Sequence, residues 1–145
     1  MRRGTGAIDV TLVGSAPNMR TERDVERFLS EFGIPYQDLG GGLFVVTDDA
    51  SGLHNLAIKV ESPVVVFRLR VLDAPEPGTP DREALFENLL RLNGSGLLHS
   101  AFCLQDDGIY LTAALPLDNL DPNEFQAVVD DLGIAASQHV ASLRG

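Results

Sequence analysis

Few side chains in this sequence are suited to acid–base, nucleophilic or metal chemistry, and they are scattered along it. The histidines are His54, His99 and His139, and none of them belongs to a His-x-x-x-His or His-Glu-x-x-His motif. A zinc site normally uses such closely spaced ligands, so none is predicted. The single cysteine, Cys103, stands between two apolar residues of a predicted strand. That position is typical of a packed or interface thiol rather than of a nucleophile.

The acidic pairs and the glycine run have structural explanations. Asp48-Asp49 and Asp106-Asp107 could bind a cation, but each pair falls in a predicted turn, where aspartate is favoured because it hydrogen-bonds to the nearby backbone. Gly40-Gly41-Gly42 lacks the spacing of a phosphate-binding loop or of a dinucleotide-binding motif, so a loop or bulge is expected there. The sequence therefore predicts no catalytic residue, no metal and no cofactor.

Composition narrows the class of protein further. The chain has 145 residues, with 21 acidic and 11 basic side chains and a formal net charge of −10. Because that charge repels phosphate backbones, binding to nucleic acid is not expected, whereas basic partners would be attracted. No apolar run approaches the roughly 20 residues of a transmembrane helix. With one cysteine and no recognisable signal peptide, we expect a cytoplasmic protein that does not insert into membranes.

The first residues differ from the rest of the chain. Residues 1–18 are rich in Gly, Ser, Thr and Pro, and the alternation of Ile8, Val10 and Leu12 leaves two interpretations open, a flexible tail or an edge strand. Met19 stands directly before the first strong element, so translation could begin there. Residues 19–145 are expected to form a single domain, which is large enough to bury a core without a disulfide or a metal.

Three helices are predicted from capping residues and apolar periodicity. Thr21 and Asp24 form a capping box before the first helix, Thr79 caps the second, and Asp121 caps the third. The third helix is expected to continue past Gly133, because the same apolar stripe resumes beyond it. The stripe of the first helix consists of Val25, Phe28, Leu29 and Phe32.

Strands are predicted between these helices. Three follow the first helix, over 43–47, 56–61 and 64–72, and two follow the second, over 97–105 and 109–116. In the longest strand, Val65, Phe67, Leu69 and Val71 share the predicted core face. Leu98, Phe102 and Leu104 are assigned to the core as well. The order α-β-β-β-α-β-β-α indicates an α+β fold in which helices pack on an antiparallel sheet.

Several segments of this pattern resemble a known family. The second helix reads Leu-Phe-Glu-Asn-Leu-Leu-Arg-Leu-Asn over 85–93, and the strand and acidic turn over 101–108 read Ala-Phe-Cys-Leu-Gln-Asp-Asp-Gly. The next strand, over 109–117, ends in Leu-Pro-Leu. Over about residues 20–140, and best over 81–133, the chain is similar to the type III secretion chaperones of the Tir-chaperone, CesT-like group and to the related YbjN-like proteins.

The resemblance implies a function as well as a fold. Secretion chaperones of this family are acidic cytoplasmic homodimers that hold a segment of a client protein in extended form, without ATPase activity or cofactor. The YbjN-like proteins are associated instead with regulation or stress, so a regulatory scaffold that binds a folded partner is the alternative. An enzyme is the third class and the least favoured. The present chain departs from the family by residues 1–18 and by Gly40-Gly41-Gly42.

Two surfaces are predicted to bind protein. The first surface combines the apolar stripe of the second helix, which is wider than one sheet face requires, with the outer face of the last hairpin, which has no charge. We expect this surface at a homodimer interface. The alternative is that the third helix or the linker covers that stripe. The interface candidates are Leu85, Leu89, Ala101, Cys103, Tyr110 and Thr112.

The second surface is the outer face of the longest strand and its neighbour. Its apolar and basic side chains would accept an extended client segment that carries apolar and acidic groups. The alternative is that Arg68 and Arg70 pair with Glu61 and other surface carboxylates. The candidates for client binding are Lys59, Val64, Val66, Arg68 and Arg70.

Overall fold

The computed structural model describes residues 19–144, which form an antiparallel sheet with helices packed on it. The expected tail or edge strand of residues 1–18 lies outside the described residues. The helices are α1 (Glu22–Glu31), α2 (Pro80–Ser95), α3 (Pro122–Ala135) and α4 (Ala141–Arg144), with a 3-10 turn at Asp49–Ser51 and a π-helix at Ala136–Val140. The strands are β1 (Tyr36–Asp38), β2 (Leu43–Asp48), β3 (Leu53–Glu61), β4 (Val64–Asp73), β5 (Ala101–Gln105) and β6 (Gly108–Pro116).

The predicted helix starts are confirmed by their capping contacts. The backbone N–H of Thr21 donates to Asp24 Oδ2 over 2.9 Å, and that of Arg82 donates to Thr79 Oγ1 over 3.4 Å. At α3, the N–H of Asn123 donates to Asp121 Oδ1 over 2.7 Å. These contacts place each capping side chain at the first turn of its helix, so each helix begins where the sequence indicated.

The last helix continues past Gly133, as expected. The chain stays helical through α3, the π-helix and α4. Gly133 serves close packing rather than termination, because a methyl group there would collide with the carbonyl oxygen of Ser51 in the turn between β2 and β3. The glycine therefore lets that turn lie directly on the helix.

The sheet has the strand order β1-β2-β3-β4-β6-β5, and all its neighbours are antiparallel. It contains one strand more than predicted. Tyr36–Asp38 pairs with β2 at the edge of the sheet. Three residues between a proline and a glycine run carry too little periodicity to be recognised as a strand.

The segment before β5 is also different from the prediction. The strand begins at Ala101 rather than at residue 97. The four residues before it form a loop held by α3, in which Asp131 Oδ2 accepts the N–H of His99 at 3.1 Å and the hydroxyl of Ser100 at 3.0 Å. The assignment of Leu98 to the core was wrong, because it is 85% exposed, and Leu104 is 46% exposed.

The core lies between one face of the sheet and the helices. Phe125 of α3 packs against Phe28 of α1 with ring centroids 5.6 Å apart, and against Phe67 of β4 at 5.4 Å. All three side chains are fully buried. Along β4 the burial alternates, with Val65, Phe67 and Leu69 in this core. The opposite face of the same strand is therefore left to form a surface.

Candidate protein-binding surfaces

The surface opposite the core is called here the open face. On β4 it presents Val64 and Val66, which are half-buried, and Arg68 and Arg70, which are exposed. This is the face that the alternation of β4 predicted.

The strands on either side of β4 extend the open face. On β3, Lys59 lies opposite Val66, and Ala57 lies opposite Arg68. On β6, Ala114 lies opposite Val66, and Thr112 opposite Arg68. The cross-strand neighbours of Val66 and Arg68 are thus small or aliphatic, apart from Lys59.

Arg70 is neutralised within its own chain. Its Nη2 lies 2.8 Å from Asp73 Oδ1 and 3.4 Å from Asp107 Oδ1, and its guanidinium carbon lies 5.7 Å from the ring centroid of Tyr110. The hydrogen bond to Asp73, followed by that to Tyr110, raises the pKa of Arg70 above its ordinary value. The expected pairing of Arg70 with surface carboxylates is thus found, with Asp73 and Asp107 as the partners instead of Glu61.

Arg68 is in a different situation. Among residues 19–144 it makes no ion pair or side-chain hydrogen bond. Lys59, its basic neighbour on the open face, donates to the carbonyl of Gly41 over 2.6 Å. Arg68 therefore offers an uncompensated positive charge within a surface of small and aliphatic side chains, on a chain whose net charge is −10.

The hairpin residues predicted for a dimer interface lie on this same open face. Ala101 is opposite Thr112, and Cys103 is opposite Tyr110. Thr112 is in turn opposite Arg68. The two surfaces that the sequence treated separately therefore join at β6, and a ligand covering one would reach the other.

The leucines predicted on α2 do not join the open face. Leu89 is only 6% exposed and belongs to the core of its own chain, and Leu85 packs partly against that core. The exposed leucine of α2 is Leu90, at 71%. Periodicity located the apolar stripe but could not tell which of its members faces outward.

An apolar groove runs between α2 and the β5–β6 hairpin, with a volume of about 170 Å³. The sequence did not predict this groove, although the unusually wide apolar stripe on α2 is the feature that indicates it. Cys103 also lines it, so the groove and the open face meet at β5. Its lining consists of Phe86, Leu89, Leu90, Asn93, Phe102, Cys103, Leu104 and Ile109.

The ionisable residues do not assemble into a reactive site among the described residues. His54 Nδ1 lies 3.2 Å from Asp49 Oδ1, and both side chains are more than 70% exposed. His139 Nε2 is 3.3 Å from the carbonyl oxygen of Gly96. In residues 19–144 no three His, Cys, Asp or Glu side chains are grouped as metal ligands. No helix in that part of the chain is long and apolar enough to cross a membrane.

Comparison with known proteins identifies a family and a fold. The CesT_Tir_1 family model matches residues 18–144. No curated protein is similar enough to the chain to count as a relative.

Solved structures share the fold at low sequence identity. A chain of the heterodimeric ExoU–SpcU complex from the type III secretion system of Pseudomonas aeruginosa aligns with a TM-score of 0.62 and 15% identity, covering 81% of this chain and 95% of that one. A chain of the HopA1–SchA chaperone–effector complex aligns at 0.58 and 11%, covering 86% and 95%. YbjN from E. coli, suggested to be a transcription regulator, aligns at 0.57 and 15%, covering 84% and 89%. The predicted α+β architecture is thereby confirmed.

Proposed function

The chain belongs to the CesT_Tir_1 family, and we propose that it is a non-catalytic protein-binding module of the chaperone type that holds an extended segment of a client. The observation that carries this proposal is Arg68, an exposed and uncompensated cation among the small and aliphatic side chains of the open face. The same fold occurs in a chain of a type III secretion system complex and in a chain of a chaperone–effector complex.

The spacing of the open face suits an extended segment. In an extended chain, alternate side chains point the same way and repeat about every 7 Å, as they do along β4. Aliphatic side chains of the client would cover Val64 and Val66, and an Asp or Glu would reach Arg68. The arginine stem would add apolar contact to the charge.

A second copy of the chain is the proposed occupant of the groove beside α2. Leu90 and Leu104 are exposed aliphatic side chains at its rim, and the uncharged pair Cys103 and Tyr110 adjoins it. Removing these surfaces from water would favour a homodimer. The client would then occupy the β3–β4 part of the open face, and the second copy the β5 edge.

The test is capture of a client followed by trimming. Tagged protein is used to isolate partners from native lysate, bound material is digested with protease, and the protected fragment is identified. We expect one short protected segment that contains aliphatic and acidic residues. A partner that survives intact as a folded domain would contradict client holding.

The second candidate is a regulatory scaffold that binds a folded partner. The similarity to YbjN favours it, because that structure covers 84% of this chain. The same trimming experiment separates the two functions, since a folded partner survives as an intact domain, whereas only the short bound segment of an extended client is protected.

A further inference from the structure

A second groove lies on the helix-covered side of the sheet, between α3 and the turn that joins β2 to β3. Its volume is about 460 Å³. Ile34, Leu53, Val129 and Ile134 supply its apolar lining. Ile134 is 54% exposed, so the groove presents an aliphatic side chain to solvent on an otherwise well-packed helix.

The charge of this groove is purely negative. Asp48 and Asp130 line it, and no Lys, Arg or His does. Asp48 Oδ2 accepts a hydrogen bond from the Ser51 hydroxyl over 2.9 Å, whereas Asp130 is exposed and makes no ion pair with any described residue. An occupant with aliphatic and basic side chains would complement the groove between α3 and the β2–β3 turn.

The walls of the groove are held together by close backbone contacts. Gly52 adopts a φ of +82°, and a methyl group on it would come within 2.8 Å of the carbonyl oxygen of Gly133. The turn and the helix therefore touch through two glycines, Gly52 and Gly133. This close packing favours a preformed groove, and a preformed site lowers the entropic cost of binding.

We propose that residues 1–18 of this same chain bind in this groove. Arg2 and Arg3 outweigh Asp9 and give the segment a formal charge of +1, which leaves −11 on residues 19–145. The segment also carries aliphatic side chains at Ile8 and Leu12. It thus supplies aliphatic groups to pack on the apolar lining and basic groups to meet the carboxylates, and it opposes the charge of the rest of the chain.

The segment is long enough and is tethered. Met19, where it joins the domain, is fixed by a bridge to Asp118. Eighteen residues span up to about 60 Å, whereas a domain of this size has a diameter of about 36 Å. A short tether gives an effective concentration on the order of 1 mM, so an intrinsic dissociation constant of about 0.1 mM would leave the groove mostly occupied. Bound there, residues 1–18 would compete with any basic segment of a partner.

The proposal is tested on the full chain by paramagnetic relaxation. A nitroxide is attached at Thr5→Cys in a Cys103→Ser background, and amide resonances are followed by NMR. We expect selective broadening at Ser51, Ile134 and other groove residues, which salt at about 0.5 M reverses by screening. Uniform broadening, or broadening centred on another surface, would overturn the proposal.

Charge reversal provides the specificity control. Arg2→Glu with Arg3→Glu should abolish the selective broadening, whereas Arg23→Glu, at an exposed position of α1, should leave it intact. Asp130→Lys should also abolish it, and combining Asp130→Lys with the two N-terminal reversals should restore it. Broadening that persists in Arg2→Glu with Arg3→Glu alone would overturn the proposal. The readout involves no client, so its failure would leave the client-binding proposal unaffected.

Discussion

The side-chain amide of Asn93 pairs with both backbone groups of Phe102, as a neighbouring strand would. Its Nδ2 donates to the carbonyl oxygen of Phe102 over 3.1 Å, and its Oδ1 accepts the N–H of Phe102 over 2.7 Å. Phe102 lies on β5, the edge strand of the sheet. Asn93 of α2 thus satisfies one backbone donor and one backbone acceptor on the edge strand, and it holds the helix against that strand.

Asn93→Ala should therefore destabilise the protein. It leaves a donor and an acceptor on the edge strand without partners, which costs about 1–3 kcal/mol in the free energy of unfolding. Urea unfolding followed by circular dichroism measures the change. Asn88→Ala is the control, since Asn88 is exposed on the same helix and should change stability by less than about 0.5 kcal/mol. Equal effects of the two substitutions would contradict the pairing.

Two glycine-to-alanine substitutions should change the stability of the protein in opposite directions. At Gly133 a methyl group meets the carbonyl of Ser51, and overpacking of this kind costs about 1–3 kcal/mol. At Gly94, inside α2, nothing lies within 4 Å of the added methyl. Alanine there should stabilise the helix by about 0.5–1 kcal/mol. Thermal unfolding of both variants gives the comparison, and stabilisation by Gly133→Ala would show that the turn does not pack on α3 as described.

The capping box of α1 should give the protein a pH-dependent contribution to stability. Burial acts to raise the pKa of Asp24, but hydrogen bonds from Thr21 and the charges of Arg27 and Arg20 outweigh it and lower the pKa below its ordinary value. A lowered folded-state pKa stabilises the protein above the unfolded-state pKa, and this stabilisation is lost as the pH falls through the folded-state pKa.

Asp24→Ala should cost about 1 kcal/mol near neutral pH. The difference from wild type should shrink as the pH falls from about 4, the ordinary value for aspartate, through the lowered pKa. Urea unfolding at several pH values measures it. Asp81→Ala, at an exposed position in the first turn of α2, is the control for removing a first-turn carboxylate and should cost less near neutral pH. A difference independent of pH would rule out the charged cap.

The proposed homodimer predicts how substitutions of exposed leucines affect association. If Leu90 lies at the interface, Leu90→Glu should dissociate the dimer, because an unpaired charge buried there costs about 3 kcal/mol or more. Ala101→Glu should act in the same way. Leu39→Glu is the matched control, since Leu39 is also exposed, at 58%, but lies beyond β1 at the far edge of the sheet. Light scattering that shows a monomeric wild type at micromolar concentration would defeat the interface.

The sequence predicted the local parts of this fold because their signals are local. Thr21, Thr79 and Asp121 mark helix starts through contacts within one turn, and the alternation along 64–72 identifies the core face without knowledge of its neighbours. β1 was not predicted because its three residues, 36–38, form a strand only through their pairing with β2.

The binding surfaces required information that no local pattern contains. The pairing of Arg68 with Thr112 joins strands that α2 separates in sequence, so the continuity of the open face was hidden. Whether Leu89 or Leu90 faces outward depends on how α2 rotates on the hairpin. The neutralisation of Arg70 by Asp107 likewise depends on a turn that is remote in sequence.

The two arginines of the open face should therefore differ in their effect on client capture. Arg68 is uncompensated among the described residues, whereas Arg70 is occupied by Asp73 and Asp107. Arg68→Glu should weaken capture of the protected client segment by at least about tenfold, since it replaces an attraction with a repulsion of about 1 kcal/mol or more on each side. Arg70→Glu should weaken capture less and lower the melting temperature more, because it sets a third carboxylate beside two others.

Titration of the labelled client segment against each variant, measured by fluorescence anisotropy, gives the comparison. Arg23→Glu carries the same change of charge on α1 and should bind the segment almost as tightly as wild type. Added salt should weaken the binding of wild type and strengthen that of Arg68→Glu, because salt screens the attraction in wild type and the repulsion in the variant. Equal loss in Arg23→Glu and Arg68→Glu would mean that net charge, and not the open face, governs capture. Unchanged binding in Arg68→Glu would remove the open face as the client site.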